Sequence, residues 1–337
     1  MKINNLEISS FAPVVIPTLC RDKHLIALLE SLAQCRFASE TEVFVAVDFP
    51  AKPAHAPGHR RICDYLDGVG NMTFKKLHVI KRDRNYGFGK QGNARLLIDD
   101  ILQKFDRYIY TEDDNCFASG FLEFINYNLE RYKDDKSILA VCGYQYPVDF
   151  HFEKPQILKL EQFSAWGYGI WKERRRIINC ARENTEEQRQ ILNNREYRKY
   201  TLAHRPNLFT ELLGMSNGEP ILGDSFNSSF QIAKGLKSIF PSKSLVRNCG
   251  WDGSGTHGGC VSRYLIQEID IVTNIEDYDV ASENKSRETD DRIYKFHSEH
   301  TAKIQHILTK AVFYIYLITG KFYNFNSLRS LWKRLFR

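Results

Sequence analysis

The first 145 residues alternate between strand and helix signals, and this alternation restricts the fold more than any other feature of the chain. "PVVIP" (13–17) reads as a strand, and "DKHLIALLESLAQC" after it as a helix with Leu25, Leu28, Leu29 and Leu32 on one face. "EVFVAVDF" (42–49) and "KLHVIKR" (76–82) are the next two strands. Ala94, Leu97, Ile98, Ile101, Leu102 and Phe105 then recur at helical spacing. A strand at "RYIYT" (107–111), a helix at "GFLEFINYNLERY" (120–132) and a fifth strand at "SILAVCGY" (137–144) follow. Such alternation predicts an α/β fold on a mostly parallel sheet with helices on both faces. Ligands of these sheets bind beyond the carboxyl ends of the strands.

After residue 145 the alternation stops. "FSAWGYGIWKERR" is aromatic and glycine-rich, and residues 172–200 are dense in charge, which predicts one or two solvated helices. Residues 219–260 read as a short helical stretch, a strand and a glycine-rich loop. With no internal repeat and no Pro- or Ser-rich linker, we expect one domain over 1–265, in halves meeting near 145, and a C-terminal extension over 266–337.

A chain of 337 residues can bury one large core or two modest ones, and 43% hydrophobic with 26% charged residues excludes global disorder. The eight cysteines form no CxxC pair and no cluster at zinc spacing, which fits a reducing compartment. "MKINNLEISSFAPVVIP" lacks the apolar run of a signal peptide, so the expected location is cytoplasmic. The net charge of +6 is concentrated at one end. No acid follows Glu299, whereas Lys303, Lys310, Lys321, Arg329, Lys333, Arg334 and Arg337 do, and the rest of the chain is nearly neutral. The apolar run "AVFYIYLI" falls short of the roughly 20 residues that span a bilayer. With "SLRSLWKRLFR" it suits either an interfacial helix on anionic lipid, making the protein peripheral at a membrane, or a helix packed on the body. Nucleic acid is not an expected partner, because no broad basic surface or known module is present.

"YIYTEDDNCF" (108–117) sets three acids, Glu112, Asp113 and Asp114, after a buried-looking strand. If the extended backbone persists, Glu112 and Asp114 project to one side and Asp113 to the other. Two carboxylates at an open sheet edge make a hard oxygen site for Mg²⁺ or Mn²⁺; a solvated acidic turn is the plain alternative. Other residues converge on such an edge. "RDRNYGFGKQGNARLL" (82–97) has Gly87, Gly89 and Gly92 for a tight backbone and Arg82, Arg84 and Lys90 for phosphate or ribose. Asp48 ends the second strand, in reach of a base or sugar hydroxyl, and "GWDGSGTHGG" offers His257 as a ligand. "FHSEH" (296–300) reads as an exposed polar helix, with His297 and His300 a lesser candidate metal pair.

The order of these motifs resembles the GT-A glycosyltransferases, particularly the inverting N-acetylglucosaminyltransferase I-like group and its relatives in family 2. The resemblance covers roughly residues 11–260 and runs through "VVIPTLCR", "RDRNYGFGKQGN", "TEDDNCF", "AWGYGIW", "LGDSFNSSFQIAKGLKSIFP" and "SLVRNCGWDGSGTH" in order. It implies a metal-dependent hexosyltransferase-type enzyme that moves a sugar from a nucleotide sugar to a glycan or lipid-linked acceptor in polysaccharide biosynthesis. The donor half is then about 11–145 and the acceptor half about 146–265. By the same resemblance Asp114 is the direct Mn²⁺ or Mg²⁺ ligand, completed by His257. Glu112 and Asp113 reach ribose or diphosphate. Pro17, Thr18, Arg21, Asp48, Arg82, Asn85, Gly87, Asn93, Trp166 and Gly167 line the nucleotide sugar. Asp224 of "LGDSF" stands where inverting members keep the general base, with Glu219 and Asp252 as nearby substitutes. The motif here is EDD rather than a strict DxD, which leaves the division of labour between Asp113 and Asp114 open. Trp166, Tyr168 and Trp251 are candidates for sugar-ring faces, and Trp171 is expected in the core. Two rivals remain: a sugar-nucleotide nucleotidyltransferase, disfavoured by the glycine-free "PTLCRDKH" after the first strand, and a non-catalytic carbohydrate-binding protein.

Overall fold

The computed structural model describes residues 7–148, 150–220, 223–255, 261–270, 273–300 and 303–320. They group into two compact units. The first comprises Met1–Leu160, Ser164–Arg175 and Lys237–Ser286; the second comprises Glu161–Phe163, Arg176–Leu236 and Arg287–Arg337. This grouping follows a different line from a cut at 265. The chain leaves the sheet after residue 175 and returns at 237, where Lys237–Pro241 pairs between two strands of the first unit.

The first unit is a mixed α/β structure whose large sheet is mostly parallel and flanked by helices. Its strands are β1 (Val14–Thr18), β2 (Glu42–Val47), β3 (Lys76–Lys81), β4 (Arg107–Tyr110), β5 (Asn115–Phe117), β6 (Ile138–Cys142), β7 (Gln156–Leu160), β8 (Tyr168–Trp171), β9 (Lys237–Pro241), β10 (Val246–Asn248) and β11 (Asp279–Val280). Nine of them form one sheet in the order β11-β7-β9-β6-β8-β4-β1-β2-β3, while β5 and β10 form a separate antiparallel ribbon. Within the large sheet β8 runs antiparallel to β4 and β6, and β7 antiparallel to β9; the other pairs are parallel. β1 is interior and buried almost throughout, as a β-branched run between two parallel neighbours should be.

The helices α1 (Asp22–Ala33), α2 (Ala56–Gly68), α3 (Asn93–Ile101) and α4 (Phe121–Arg131) connect these strands. The leucines expected on one face of α1, Leu25, Leu28, Leu29 and Leu32, are all fully buried, each stabilising the fold by about 1.5–3 kcal/mol. α3 packs on β1 and β2, and α4 on β6 and β8. α4 is also tied by charge: Glu130 accepts from Arg107 of β4 at 2.9 Å, Lys133 at 2.6 Å and Ser9 at 3.0 Å. Trp171 is core, as expected, and its indole N–H donates to the Leu129 carbonyl at 3.1 Å.

The charged stretch after 172 departs from the expectation of one or two solvated helices. It forms three, α5 (Lys172–Glu183), α6 (Thr185–Asn193) and α7 (Arg195–Ala203). Asn184 and Asn194 break it, each accepting backbone N–H groups as an N-cap. One face is buried through Ile178, Ile191, Leu192 and Tyr197. The second unit continues with α8 (Pro206–Ser216) and α9 (Gly223–Ala233). A short α10 (Ser262–Leu265) belongs to the first unit, and α11 (Glu283–His300) and α12 (Lys303–Thr319) follow. Phe313 of α12 is fully buried, its ring 4.2 Å from Phe209 of α8, so this part of the extension packs as a helix. No described helix is long and apolar enough to cross a membrane, and the basic end, 321–337, lies outside the described residues. His297 is half-buried in α11, and that burial, helped by Arg205, draws it down to about 2 and leaves it neutral; the side chain of His300 is not among those described.

Candidate functional site

The chain steps outward from β1 to β2 to β3 and then crosses back to place β4 on the other side of β1, so the direction of winding reverses between β1 and β4. The carboxyl ends at such a reversal splay apart and leave a crevice. Pro17 contributes to the splay. β4 pairs with β1 only at Val14 and Val15, so the N–H that proline lacks has no partner strand waiting for it on that side.

Across this crevice stand the acids. β4 ends at Tyr110, and Asp113 and Asp114 lie in a turn, so the expected alternation of Glu112 and Asp114 against Asp113 is not what forms. Strand periodicity lapses once the backbone turns, and the neighbours Asp113 and Asp114 face the same guanidinium. Arg21, immediately after β1, donates from Nη2 to Asp113 Oδ1 and from Nη1 to Asp114 Oδ2 at 2.7 Å. Thr18 Oγ1 donates to Asp113 Oδ2 at 2.7 Å, and Asn248 Nδ2 to Asp114 Oδ1 at 3.2 Å. All four carboxylate oxygens are thus engaged, and both acids are buried, at 6% exposure each. Burial raises the Asp113 pKa against the opposing pull of Arg21 and Thr18. Burial would discharge Arg21, but the two carboxylates hold it charged, above the ordinary arginine value. Glu112 is half-buried beside the pair.

The β5–β10 ribbon closes the site from below. Cys249 N–H donates to the Asp114 carbonyl at 2.8 Å, and Gly250 N–H to Asn248 Oδ1 at 3.0 Å. A Cβ on Gly250 would lie 1.9 Å from Asp114 Oδ2, so only glycine fits there. Cys116 and Cys249 bring their sulfurs to 3.7 Å; the hydrogen bond from Cys249 pulls the Cys116 thiol down to about 7 against the effect of burial. The described cysteines are all free.

On one flank lies the glycine-rich loop. Asp48, just past β2, accepts from Phe49 N–H at 3.0 Å, Tyr86 N–H at 2.9 Å, Gly87 N–H at 2.8 Å and Asn85 Nδ2 at 3.3 Å. Asn93 accepts from Arg82 Nε at 2.9 Å and donates to the Ala46 carbonyl at 2.8 Å. Asp48, Asn85 and Asn93 therefore spend their polar groups on building the loop. Gly87 and Gly89 have φ of 56° and 99°, which glycine adopts without strain. Arg82 Nη2 is buried without a hydrogen-bond partner, an orphan donor left beside the loop.

On the other flank is an aromatic wall. The Trp166 ring stands edge-on to Tyr144 at 4.6 Å, Tyr264 at 5.6 Å and Trp251 at 6.2 Å. Gly167 has φ of 72°, and a Cβ there would press on Phe121 and Val246 at 3.0 Å. Tyr168 is buried on β8 with its ring 5.6 Å from Tyr110. Trp251 follows Gly250 directly, so the wall begins beside Asp114. Asp252 next to it accepts from Ser254 N–H at 2.9 Å and faces His24 Nε2 at 3.2 Å. Those contacts, Ser254 first, hold its carboxyl below the ordinary range. Asp224 is exposed on the first turn of α9 in the second unit, and Glu219 is exposed in the loop before it. His257 lies outside the described residues.

Asn248, Gly250, Tyr144 and Tyr264 escaped the sequence reading, since nothing local distinguishes a strand asparagine or a loop glycine that meets a carboxylate from elsewhere in the chain. Among the described residues no group of three or more His, Cys, Asp or Glu side chains is gathered as a metal cage. The paired acids nonetheless fit a cation: they offer hard oxygens, and the Arg21 guanidinium already stands across both.

No protein-family model matches the chain, and no curated protein matches it. Among solved structures it is similar to the mannosyltransferase PcManGT from Pyrobaculum calidifontis in complex with GDP-Man and Mn2+, at 12% identity and a TM-score of 0.32 over 50% of this chain and 47% of that one. It is also similar to S. aureus TarS, at 18% identity and 0.29 over 40% of this chain and 22% of that one. The third is the glycosyltransferase GlyE of Streptococcus pneumoniae TIGR4, at 16% identity and 0.27 over 53% and 40%. The chain thus spans less than half the length of each. Likeness of this degree transfers no activity, so function is read from the site.

Proposed function

We propose that the chain is a glycosyltransferase that moves a sugar from a nucleotide sugar to a hydroxyl of a glycan or lipid-linked acceptor, with inversion. One observation carries the reading. The crevice between β1 and β4 combines a buried acid pair under a guanidinium, a hydrogen-bonded glycine loop with an unpartnered arginine nitrogen, and an aromatic wall.

Each part answers a need of the reaction. The orphan Nη2 of Arg82 suits a phosphate or ribose oxygen, because a buried donor without an acceptor is unfavourable until a ligand supplies one. Trp166, Trp251 and Tyr264 offer flat apolar faces against which a sugar ring can lie. Asp113 and Asp114 would hold a divalent ion, Mn²⁺ or Mg²⁺, which when bound screens the charge on the departing diphosphate. The acceptor hydroxyl must lose a proton, and we assign that base to Asp224, from its place in "LGDSF". General base catalysis supplies about 10²–10⁴-fold. Asp252 is the weaker choice, since a carboxylate already engaged by Ser254 and His24 and held at low pKa takes protons poorly.

Release of nucleotide from a panel of nucleotide sugars, with and without Mn²⁺, tests the proposal. At least one donor should be turned over, and Asp224→Asn should lose transfer about 100-fold or more while still binding that donor. A chain that neither binds nor turns over any nucleotide sugar is no glycosyltransferase; Asp224→Asn with near-normal turnover reassigns the base.

A further inference from the structure

We propose that Arg21 and a divalent cation are mutually exclusive on Asp113 and Asp114, and that the donor's diphosphate favours the cation by giving Arg21 a new partner. This rests on the reading above and assigns Arg21 a switching role in it.

Three observations carry it. Arg21 binds both acids at once, one nitrogen to each, so it occupies the space between them rather than one outer edge. The remaining oxygens are held by Thr18 and Asn248, and the backbone of Gly250 closes the side of Asp114 so tightly that even a methyl group would overlap Oδ2. Among the described residues a second cation therefore finds no approach that leaves the guanidinium in place, and like charges at such range repel strongly in a buried setting. Arg21 itself has a way out. Its side chain keeps 24% exposure and, at the N-cap of α1, makes no capping hydrogen bond. Displaced, it would remain at the crevice mouth, where a diphosphate offers the planar, paired oxygens that a guanidinium binds in two-pronged fashion.

Linkage makes the consequence measurable. If the cation must expel Arg21, it binds weakly alone and tightly when diphosphate receives the arginine, and each ligand strengthens the other by the same factor. Removing the arginine should tighten the cation site and reduce that coupling to what direct attraction between cation and diphosphate supplies.

The experiment is Mn²⁺ binding followed by electron paramagnetic resonance at fixed free Mn²⁺, with UDP, GDP, CDP and ADP as probes. In the wild type, the nucleoside diphosphate that binds should tighten Mn²⁺ about tenfold or more. Arg21→Ala should bind Mn²⁺ about tenfold more tightly than wild type without nucleotide and gain less from the nucleotide than wild type does. Should Arg21→Ala not fold, Arg21→Lys serves, since a point charge cannot bridge two carboxylates as a planar fork does. Equal Mn²⁺ affinity in wild type and variants, with a nucleotide still bound, overturns the inference alone. Failure of every nucleoside diphosphate to bind any form overturns the glycosyltransferase reading instead.

Discussion

Asp113 and Asp114 are adjacent in sequence, and what each can do is decided by side chains far from both. Arg21 draws them to one side, Thr18 and Asn248 take their outer oxygens, and Gly250 gives Asp114 the room it needs. The glycine is the least forgiving of these. Gly250→Ala would force Asp114 or the ribbon backbone to shift, and overpacking of this sort costs about 1–3 kcal/mol. Urea denaturation should register that loss; unchanged stability would mean the ribbon yields freely and the acid pair is not tightly framed.

At the scale of elements, the glycine loop is organised by a residue outside it. Asp48 accepts two backbone N–H groups and one amide from residues 85–87, so the loop's shape depends on a carboxylate at the end of β2. Asp48→Ala leaves those donors without their acceptor while β2 and α3 keep their own ladders. Amide hydrogen exchange at Tyr86 and Gly87 should then accelerate about tenfold or more, in line with about 1–3 kcal/mol per lost partner. Protection that survives the substitution would make the loop self-supporting. The same element logic explains the charged stretch beyond 172, where Asn184 and Asn194 each start a new helix by capping it.

For the molecule as a whole, acid sensitivity has an identifiable source. Burial alone would raise Glu130, but Lys133, Arg107 and Ser9 outweigh it and hold the carboxyl below the ordinary glutamate range. A depressed folded pKa adds stability that is complete above the unfolded value of about 4.3 and vanishes as pH falls through the folded one. Arg107 and Glu130 are both buried, so Glu130→Gln should cost about 3–5 kcal/mol near neutrality. The gap from wild type should narrow as pH falls from about 6 to 3. Asp113, raised by burial, contributes with the opposite sign, which is why the difference between the two proteins is the quantity to follow. A gap independent of pH would remove Glu130 from the account.

Most strands and helices up to residue 144 were legible because their signals are local: β-branched runs form β1 and β2, and leucines at three- and four-residue spacing form α1, whereas α2 and the three-residue β5 were not read. That the acids would stand at a strand end was legible for the same reason. The partner of those acids was not. Arg21 meets Asp113 across 92 residues and Asn248 meets Asp114 across 134, contacts that exist only once β1 and β4 lie side by side and the β10 ribbon folds under them. Periodicity carries information over a few residues and tells which face a side chain takes while the backbone stays regular. It lapses at the turn after Tyr110, and there packing alone chose which oxygens face which cation.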